Sequence, residues 1–263
     1  MTSPAVPYRM EVSVEVAGTP EQVWDAIATG GGISSWFLPT VVEEREGGAI
    51  VLALGGDSST GTITGWDPPR RFAYEEPDWA PLTGHEGAAV TPLVTEFLVE
   101  AGPGGTCIVR VVSSAFGTGA DWELEFFANM EIGWTPFFHH LRLYLGHFAG
   151  QQTTRLSVLI ALRGDPGPTV SAMRQALGIG DAGQAVDTHG LLGRVERSSE
   201  DHLLLHLTHP APGYMAFFAY ASGAGTSGAQ IEGYLFSPDA LAYVEREMPT
   251  WKAWLESLAA PRS

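Results

Sequence analysis

His85 and Glu86 are adjacent residues whose side chains are suited to proton transfer. An imidazole beside a carboxylate can move protons when both groups reach a bound substrate. The pair lies in a polar stretch, residues 75–92, which predicts a loop that covers the mouth of a cavity. A dipeptide in such a loop is more often simply exposed. His85 and Glu86 are therefore weak catalytic candidates, and no complete catalytic constellation is predicted.

The other histidines do not predict a metal site. A predicted helix carries His139, His140 and His147. His140 and His147 are seven residues apart, whereas helical metal pairs favour spacings of three or four. A predicted strand and its turn carry His202, His206 and His209. The first two share a face but lie about 13 Å apart at about 3.3 Å per residue, too far to hold one ion.

The composition excludes several classes of function. The net charge of −16 comes from 30 acidic and 14 basic side chains, so nucleic acid and anionic membranes are improbable partners. The single cysteine, Cys107, lies in an apolar run that predicts a buried, unreactive thiol. Gly30-Gly31-Gly32 lacks the lysine of a phosphate-binding loop. We expect no cofactor, no metal and, because no leader or membrane span is evident, a cytoplasmic location.

The first half begins with a strand and a capped helix. Met10, Val12, Val14 and Val16 alternate with polar residues, which predicts a strand with one buried face. Thr19, Pro20 and Gln22 then form the pattern of a capping box at the start of a helix, which the glycine run at 30–32 should end. Short strands follow at 41–44, 48–53, 61–66, 71–75, 93–100 and 107–113, so we predict an antiparallel meander of six or seven strands.

A long helix should close this half of the chain. Its apolar residues recur three or four positions apart: Trp122, Phe126, Met130, Trp134, Phe138, Leu141, Leu145 and Phe148. Gly133 and Pro136 predict a kink or a split into two pieces, with Thr135 as the second cap. A helix of this kind lying across a curved sheet either packs tightly or leaves a ligand cavity.

Several short motifs occur in a set order over residues 8–150. They are Thr19-Pro20-Glu21-Gln22-Val23-Trp24-Asp25-Ala26-Ile27, Trp36-Phe37, Gly61-Thr62-Ile63, Asp67-Pro68-Pro69-Arg70-Arg71-Phe72, Thr95-Glu96-Phe97, Gly105-Thr106 and Gly133-Trp134. Together they resemble the heat-shock-protein ATPase activator homologues of the SRPBCC superfamily. The resemblance implies an α+β, START-like helix-grip fold with a deep cavity between the sheet and the C-terminal helix. It implies no chemistry, because relatives bind lipids, act on polyketides or stimulate a chaperone.

The second half repeats the order in shortened form. Leu156, Val158, Ile160 and Leu162 alternate like the first strand, and a helix from Pro168 should end at Gly178. Strands are predicted at 193–196, 202–208, 214–221 and 230–236, followed by a helix that Ser237 caps. We predict one domain at 8–150 and a reduced helix-grip copy at 153–260. The alternative is one large domain whose second half extends the first sheet.

The leading hypothesis is binding of an apolar small molecule in the first domain. The predicted pocket residues are aromatic: Trp36, Trp66, Tyr74, Trp79, Phe97, Trp122, Phe126, Trp134 and Phe138. Glu96, Arg110 and Ser113 are possible polar anchors on the neighbouring strands. The alternatives are a chaperone-linked or other protein-binding module and a cavity enzyme of cyclase or hydrolase type.

Overall fold

The alternating segment near the start of the chain forms the first strand, β1 (Val6–Ala17), in a computed structural model of the protein. The structure describes residues 5–54, 56–163, 165–221 and 226–259. The chain divides into two compact units, with the boundary between Gln151 and Gln152. Each unit has its own antiparallel sheet, so the alternative of a single extended sheet is wrong.

The first unit wraps a seven-stranded sheet around a long helix. After β1 come α1 (Pro20–Ala28), α2 (Gly30–Ser34), β2 (Thr40–Val42), β3 (Ala49–Ala53), β4 (Ser58–Asp67), β5 (Arg71–Glu76), α3 (Trp79–Leu82), β6 (Leu93–Ala101), β7 (Thr106–Gly117) and α4 (Asp121–Leu143). The strand order β1-β7-β6-β5-β4-β3-β2 pairs the first strand with the last. The described residues confirm the predicted helix-grip fold.

Helix α1 begins with the predicted capping box. The Thr19 backbone N–H donates to Oε1 of Gln22 at 2.9 Å, and the Gln22 N–H donates to Oγ1 of Thr19 at 3.4 Å. The helix buries Val23 and Ile27 against the sheet. The glycine run has a different role from the one expected. The hydroxyl of Thr29 accepts a hydrogen bond from the backbone N–H of Gly32 at 3.0 Å and so caps α2. The glycines therefore form the start of α2 and do not only end α1.

Helix α4 continues through Gly133 and Pro136, so of the two predicted alternatives, a kink or a division, the division into two helices is wrong. Proline removes one backbone hydrogen bond, but Trp134 and Phe138 on either side of it are buried. Packing of this face stabilises the helix across the weak point. A π-helical turn, Tyr144–Phe148, then ends the helical segment.

The second unit has the same topology with one strand fewer. Its elements are β8 (Thr154–Arg163), α5 (Gly167–Leu177), β9 (Ala185–Thr188), β10 (Leu191–Ser198), β11 (His202–His209), β12 (Gly213–Ala221), β13 (Thr226–Leu235) and α6 (Ala240–Ala259). Strand order is β8-β13-β12-β11-β10-β9, which again pairs the first strand with the last. The prediction of a reduced tandem copy is confirmed, although β9 was not predicted.

Large apolar side chains fill the space between the helices and the second sheet. Met215 and Phe217 on β12 belong to the same buried cluster as Trp251 and Leu255 on α6. Helix α6 begins at Ala240, later than expected. Ser237 accepts a hydrogen bond from the backbone of Asp239 at 3.3 Å and thus holds a turn before the helix rather than its first residues.

Candidate functional site

A cavity of about 370 Å³ lies between the sheet and α4 in the first unit. The sheet contributes Leu52, Ser59, Tyr74, Glu76, Leu93 and Thr95, α4 contributes Phe126, Met130, Gly133, Trp134 and Phe137, and the connecting segments contribute Phe37, Leu38, Leu54, Trp79, Leu82 and Thr83. Most of these side chains are apolar, and six of them are aromatic. None of the described lining residues is Lys, Arg or His.

One face of α4 forms the helical wall. Phe126, Met130 and Phe137 are four and seven residues apart, which places them on one side of the helix. Phe37, from the segment after α2, stacks on Trp134 with ring centroids 5.0 Å apart and meets Phe137 edge-on at 4.6 Å. These ring contacts fix the aromatic end of the cavity.

The segment containing α3 forms another wall. The indole N–H of Trp79 donates to the carbonyl of Thr91 at 2.9 Å, which ties the start of this segment to its end. The Trp79 ring lies 4.6 Å from that of Phe126 on α4. Leu82 and Thr83 extend the wall beyond Trp79. The polar stretch between β5 and β6 therefore borders the cavity, as the sequence suggested.

Polar groups on adjacent strands interrupt the apolar lining. Ser59 on β4 donates a short hydrogen bond to Glu76 on β5. Tyr74, on the same face of β5, hydrogen-bonds to Thr95 on β6, whose hydroxyl lies 3.2 Å from that of Ser113 on β7. A few fixed polar groups in an apolar pocket are typical of ligand sites, because they orient what binds.

Burial affects the two titratable groups on this wall. It raises the pKa of Glu76, an effect that the hydrogen bond from Ser59 partly offsets. It also raises the pKa of Tyr74 well above the usual phenol value, and the nearby Glu76 carboxylate adds to this shift. Both groups thus favour their neutral forms more than they would in water.

Four of the nine predicted pocket residues line the cavity: Tyr74, Trp79, Phe126 and Trp134. The other five lie behind or beside it. Trp36 is fully buried and donates to the carbonyl of Ala26 at 2.9 Å. Trp66 packs edge-on against Trp24, with centroids 5.0 Å apart.

The remaining three predicted rings support the lining from outside. Phe97 meets Trp134 edge-on at 5.7 Å, and Phe138 lies 5.9 Å from the same ring. Trp122 packs against Trp79 at 5.6 Å. The sequence therefore identified the aromatic core correctly in kind, but alternation and helical spacing do not distinguish a ring that borders a void from one packed behind it.

His85 lies at the edge of this aromatic cluster. Its ring stacks on Trp122 with centroids 3.9 Å apart, and its Nδ1 is 3.1 Å from the hydroxyl of Thr83, a lining residue. His85 itself is not among the described lining residues, and Glu86 is exposed. The structure does not bring the two together in the cavity.

The three predicted polar anchors have different positions. Glu96 pairs with Arg71, and Arg110 pairs with Glu11 and Glu100. Because side chains alternate along a strand, residue 96 faces away from the cavity that Thr95 lines. Arg110 likewise lies on the face opposite Ser113. Only Ser113 contacts the cavity wall, through Thr95.

The other chemistry-bearing residues are not among the described residues that line the cavity. His139 and His140 are on α4, where His140 is buried with its ring 5.5 Å from that of Phe137, and His147 is in the π-helical turn. In the second unit, His202 is buried and His206 is half-buried on β11. His209 ends that strand and is exposed. Cys107 is buried and free, as predicted.

Ser59, Glu76, Phe37 and Phe137 line the cavity but were not among the pocket residues predicted from the sequence. Strand β4 begins three residues earlier than expected, and this extension brings Ser59 onto the face of Ile63. Strand β5 extends by one residue to Glu76, which shares a face with Tyr74. The alternation of the strands does indicate these two residues, because counting every second residue back from Ile63 reaches Ser59 and counting forward from Tyr74 reaches Glu76.

The first unit is a helix-grip domain with a cavity between its sheet and α4. Residues 7–139 match the family described as "Polyketide cyclase / dehydrase and lipid transport". The match covers half of the chain, so the protein belongs to this family, which is of the predicted SRPBCC type.

Solved structures of similar fold have low sequence identity. The di-domain ARO/CYC BexL from the BE-7585A biosynthetic pathway is 13% identical, over 97% of this chain and 100% of that one, with a TM-score of 0.45. The Aha1 dimer from Colwellia psychrerythraea is 17% identical, over 52% and 96%, with a TM-score of 0.43. MLL2253 from Mesorhizobium loti is 18% identical, over 54% and 98%, with a TM-score of 0.46. Likeness at this level transfers no activity.

No curated protein matches the chain. Within the described residues, no helix combines the length and apolar character needed to cross a membrane.

Proposed function

We propose that the first unit binds an apolar small molecule in the cavity between its sheet and α4. The observation that carries this proposal is the lining itself, which surrounds about 370 Å³ with six aromatic rings and few polar groups. Cavities that bind small ligands are typically about 300–1,000 Å³ and have this composition. Membership of a family described by cyclases, dehydrases and lipid transport is consistent with such a ligand.

Burial of apolar surface supplies the affinity in this proposal. At about 25 cal/mol per Å², removing about 200 Å² of ligand surface from water contributes about 5 kcal/mol. Ordering the ligand offsets part of this gain. A ring-containing ligand also makes stacked or edge-on contacts with Trp79, Trp134 and Phe137. Since about 5 kcal/mol corresponds to a dissociation constant of about 0.2 mM, submillimolar affinity is expected for a ligand that fills the cavity.

Two measurements test the proposal. Native mass spectrometry of the purified protein is expected to show a co-purifying apolar molecule. Independently, the neutral fluorophore N-phenyl-1-naphthylamine is expected to bind with a blue-shifted emission. Met130→Trp, which adds an indole to the helical wall, should weaken fluorophore binding at least tenfold. Met130→Leu conserves volume and is the matched control.

Equal fluorophore affinity for the two Met130 variants would contradict binding in this cavity. Circular dichroism and thermal unfolding of both variants establish that a lost signal is not lost folding. The protein-binding and cavity-enzyme roles considered from the sequence remain predictions.

A further inference from the structure

Glu76 is the only acidic residue among the described residues that line the cavity, and no basic residue lies among them. Its carboxylate forms no ion pair with any described residue. By contrast, the carboxylate of Glu96 on β6 pairs with Arg71. A cavity that holds one negative group and no positive group therefore has an unbalanced charge.

The aromatic rings that line the same cavity as this carboxylate also favour positive charge. The lining includes Phe37, Tyr74, Trp79, Phe126, Trp134 and Phe137. The face of each ring carries negative electrostatic potential, so a cation within about 6 Å of a ring centre is attracted to it. Sites that recognise ammonium groups combine such rings with a carboxylate, because each contributes to the stability of a desolvated cation.

We propose that the ligand carries a protonated amine, which pairs with the carboxylate of Glu76 while its apolar body lies among the aromatic rings. This inference rests on the proposed ligand-binding function and specifies the chemical class of the ligand. Ser59 donates to Oε1 of Glu76 and so holds the carboxylate in place. Among the described residues, no hydrogen bond reaches Oε2, which is the acceptor assigned to the amine.

The energetics favour a cation over neutral and anionic ligands of the same shape. Burial destabilises the ionised form of Glu76, and a cation in the cavity would offset that effect. An anion would be repelled by the same carboxylate. The net charge of −16 acts in the same direction, because it raises the local concentration of cations around the protein.

A set of probes with one ring system separates charge from shape. The probes are 1-naphthylmethylamine, 1-naphthalenemethanol and 1-naphthoic acid, which at neutral pH are cationic, neutral and anionic. Dissociation constants come from displacement of N-phenyl-1-naphthylamine. The amine is expected to bind at least tenfold more tightly than the alcohol, and the acid more weakly than both.

Two substitutions assign the preference to one side chain. Glu76→Gln keeps the shape and the hydrogen bond from Ser59, so it should remove the tenfold advantage of the amine and change alcohol binding less than twofold. Glu75→Gln removes the same charge from the neighbouring residue, which lies on the opposite face of β5, and should leave the advantage intact. This control separates direct pairing from general attraction to an acidic protein.

The outcomes distinguish the inference from the proposed function. Equal binding of the amine and the alcohol to the wild-type protein would overturn the charge preference but leave the proposed function standing. An amine preference that survives Glu76→Gln, or is lost equally in Glu75→Gln, would also overturn the inference. Failure of all three probes and of the fluorophore to bind would overturn both.

Discussion

Glu123 at the start of α4 is predicted to stabilise the first unit by a charge-dependent cap. The side chain is fully buried and accepts hydrogen bonds from the backbone of Thr118 at 2.9 Å, Gly119 at 2.9 Å and Ala120 at 3.3 Å. It also accepts one from the Thr118 hydroxyl at 2.9 Å. Three backbone N–H groups ahead of the helix thus depend on one carboxylate, which also lies at the positive end of the helix dipole.

Glu123→Gln replaces one acceptor oxygen with an N–H₂ group that faces these donors. Hydrogen bonds to a charged group contribute about 1.5–3 kcal/mol each, and the substitution removes the charge and at least one such bond. We expect the free energy of unfolding to fall by about 3 kcal/mol. Because a domain of this size is stable by about 5–15 kcal/mol, the loss is large. With a urea dependence of about 2 kcal/mol/M, the midpoint should fall by about 1.5 M.

The stability that Glu123 contributes should decrease as the pH falls. Burial alone would raise the pKa of Glu123. The hydrogen bonds from Thr118 and Gly119 outweigh that effect and hold this pKa below its usual value. A carboxyl with a depressed folded-state pKa contributes stability that is complete above the unfolded pKa and is lost as the pH falls through the folded pKa. The difference between wild type and Glu123→Gln should therefore be full at pH 7 and shrink in strong acid.

Urea unfolding followed by tryptophan fluorescence measures this difference, and six of the eight tryptophans belong to the first unit. Glu125→Gln is the matched control, because Glu125 is exposed two residues along the same helix. Its midpoint should change by less than about 0.3 M, since exposed substitutions usually change stability by less than about 0.5 kcal/mol. Equal midpoints for the two variants at pH 7 would refute the capping argument.

Three further predictions concern the same unit. A Cβ at position 117 would lie 2.4 Å from Oε2 of Glu123. Gly117→Ala should therefore lower the free energy of unfolding by at least about 1 kcal/mol more in the wild-type protein than in the Glu123→Ala variant. Equal losses in the two backgrounds, measured by urea unfolding, would contradict this. Gly133→Ala should raise the free energy of unfolding by about 1 kcal/mol, because alanine favours helix and its Cβ would meet no atom within 4 Å; an unchanged melting temperature would count against it. Because the pKa of Glu76 is raised in the folded protein, its ionisation destabilises the folded state as the pH rises. Glu76→Gln should therefore stabilise the protein at pH 8 but not at pH 4. A difference in the free energy of unfolding that does not change with pH would exclude this.

The elements of the fold could be predicted because each has a strong local pattern. The alternation of β1, the capping box at Thr19 and the apolar stripe of α4 are short-range signals that survive in the structure. Errors occurred where tertiary packing overrides a local rule. Gly133 and Pro136 predict a kink or a split, yet buried rings on both sides of Pro136 keep α4 continuous, so the split does not occur. The glycine run ends α1 as predicted, but the second helix that the hydroxyl of Thr29 caps at that point was not predicted.

The candidate site was less predictable, because a cavity depends on the sizes of side chains that face each other from distant parts of the chain. Tyr74 and Trp134 were expected to line it and do, whereas Phe97 packs behind Trp134 at 5.7 Å. No spacing rule separates these cases. Glu76 was missed because the predicted strand stopped one residue short of it. Polar residues at strand ends therefore need to be considered as site candidates as carefully as aromatic residues within helices.

The two sheets, although alike in topology, present side chains of different size and polarity to their long helices. In the first unit, the sheet presents small polar residues to the helix at Ser59 and Thr95, and large rings on α4 contact rings from Phe37 and the α3 segment. In the second unit, the sheet presents large apolar side chains such as Met215 and Phe217, which belong to one buried cluster with residues of α6. Small residues on one wall leave volume that the opposite wall cannot fill without strain. The cavity of the first unit therefore depends on the size and polarity of side chains at a few strand positions within a shared topology.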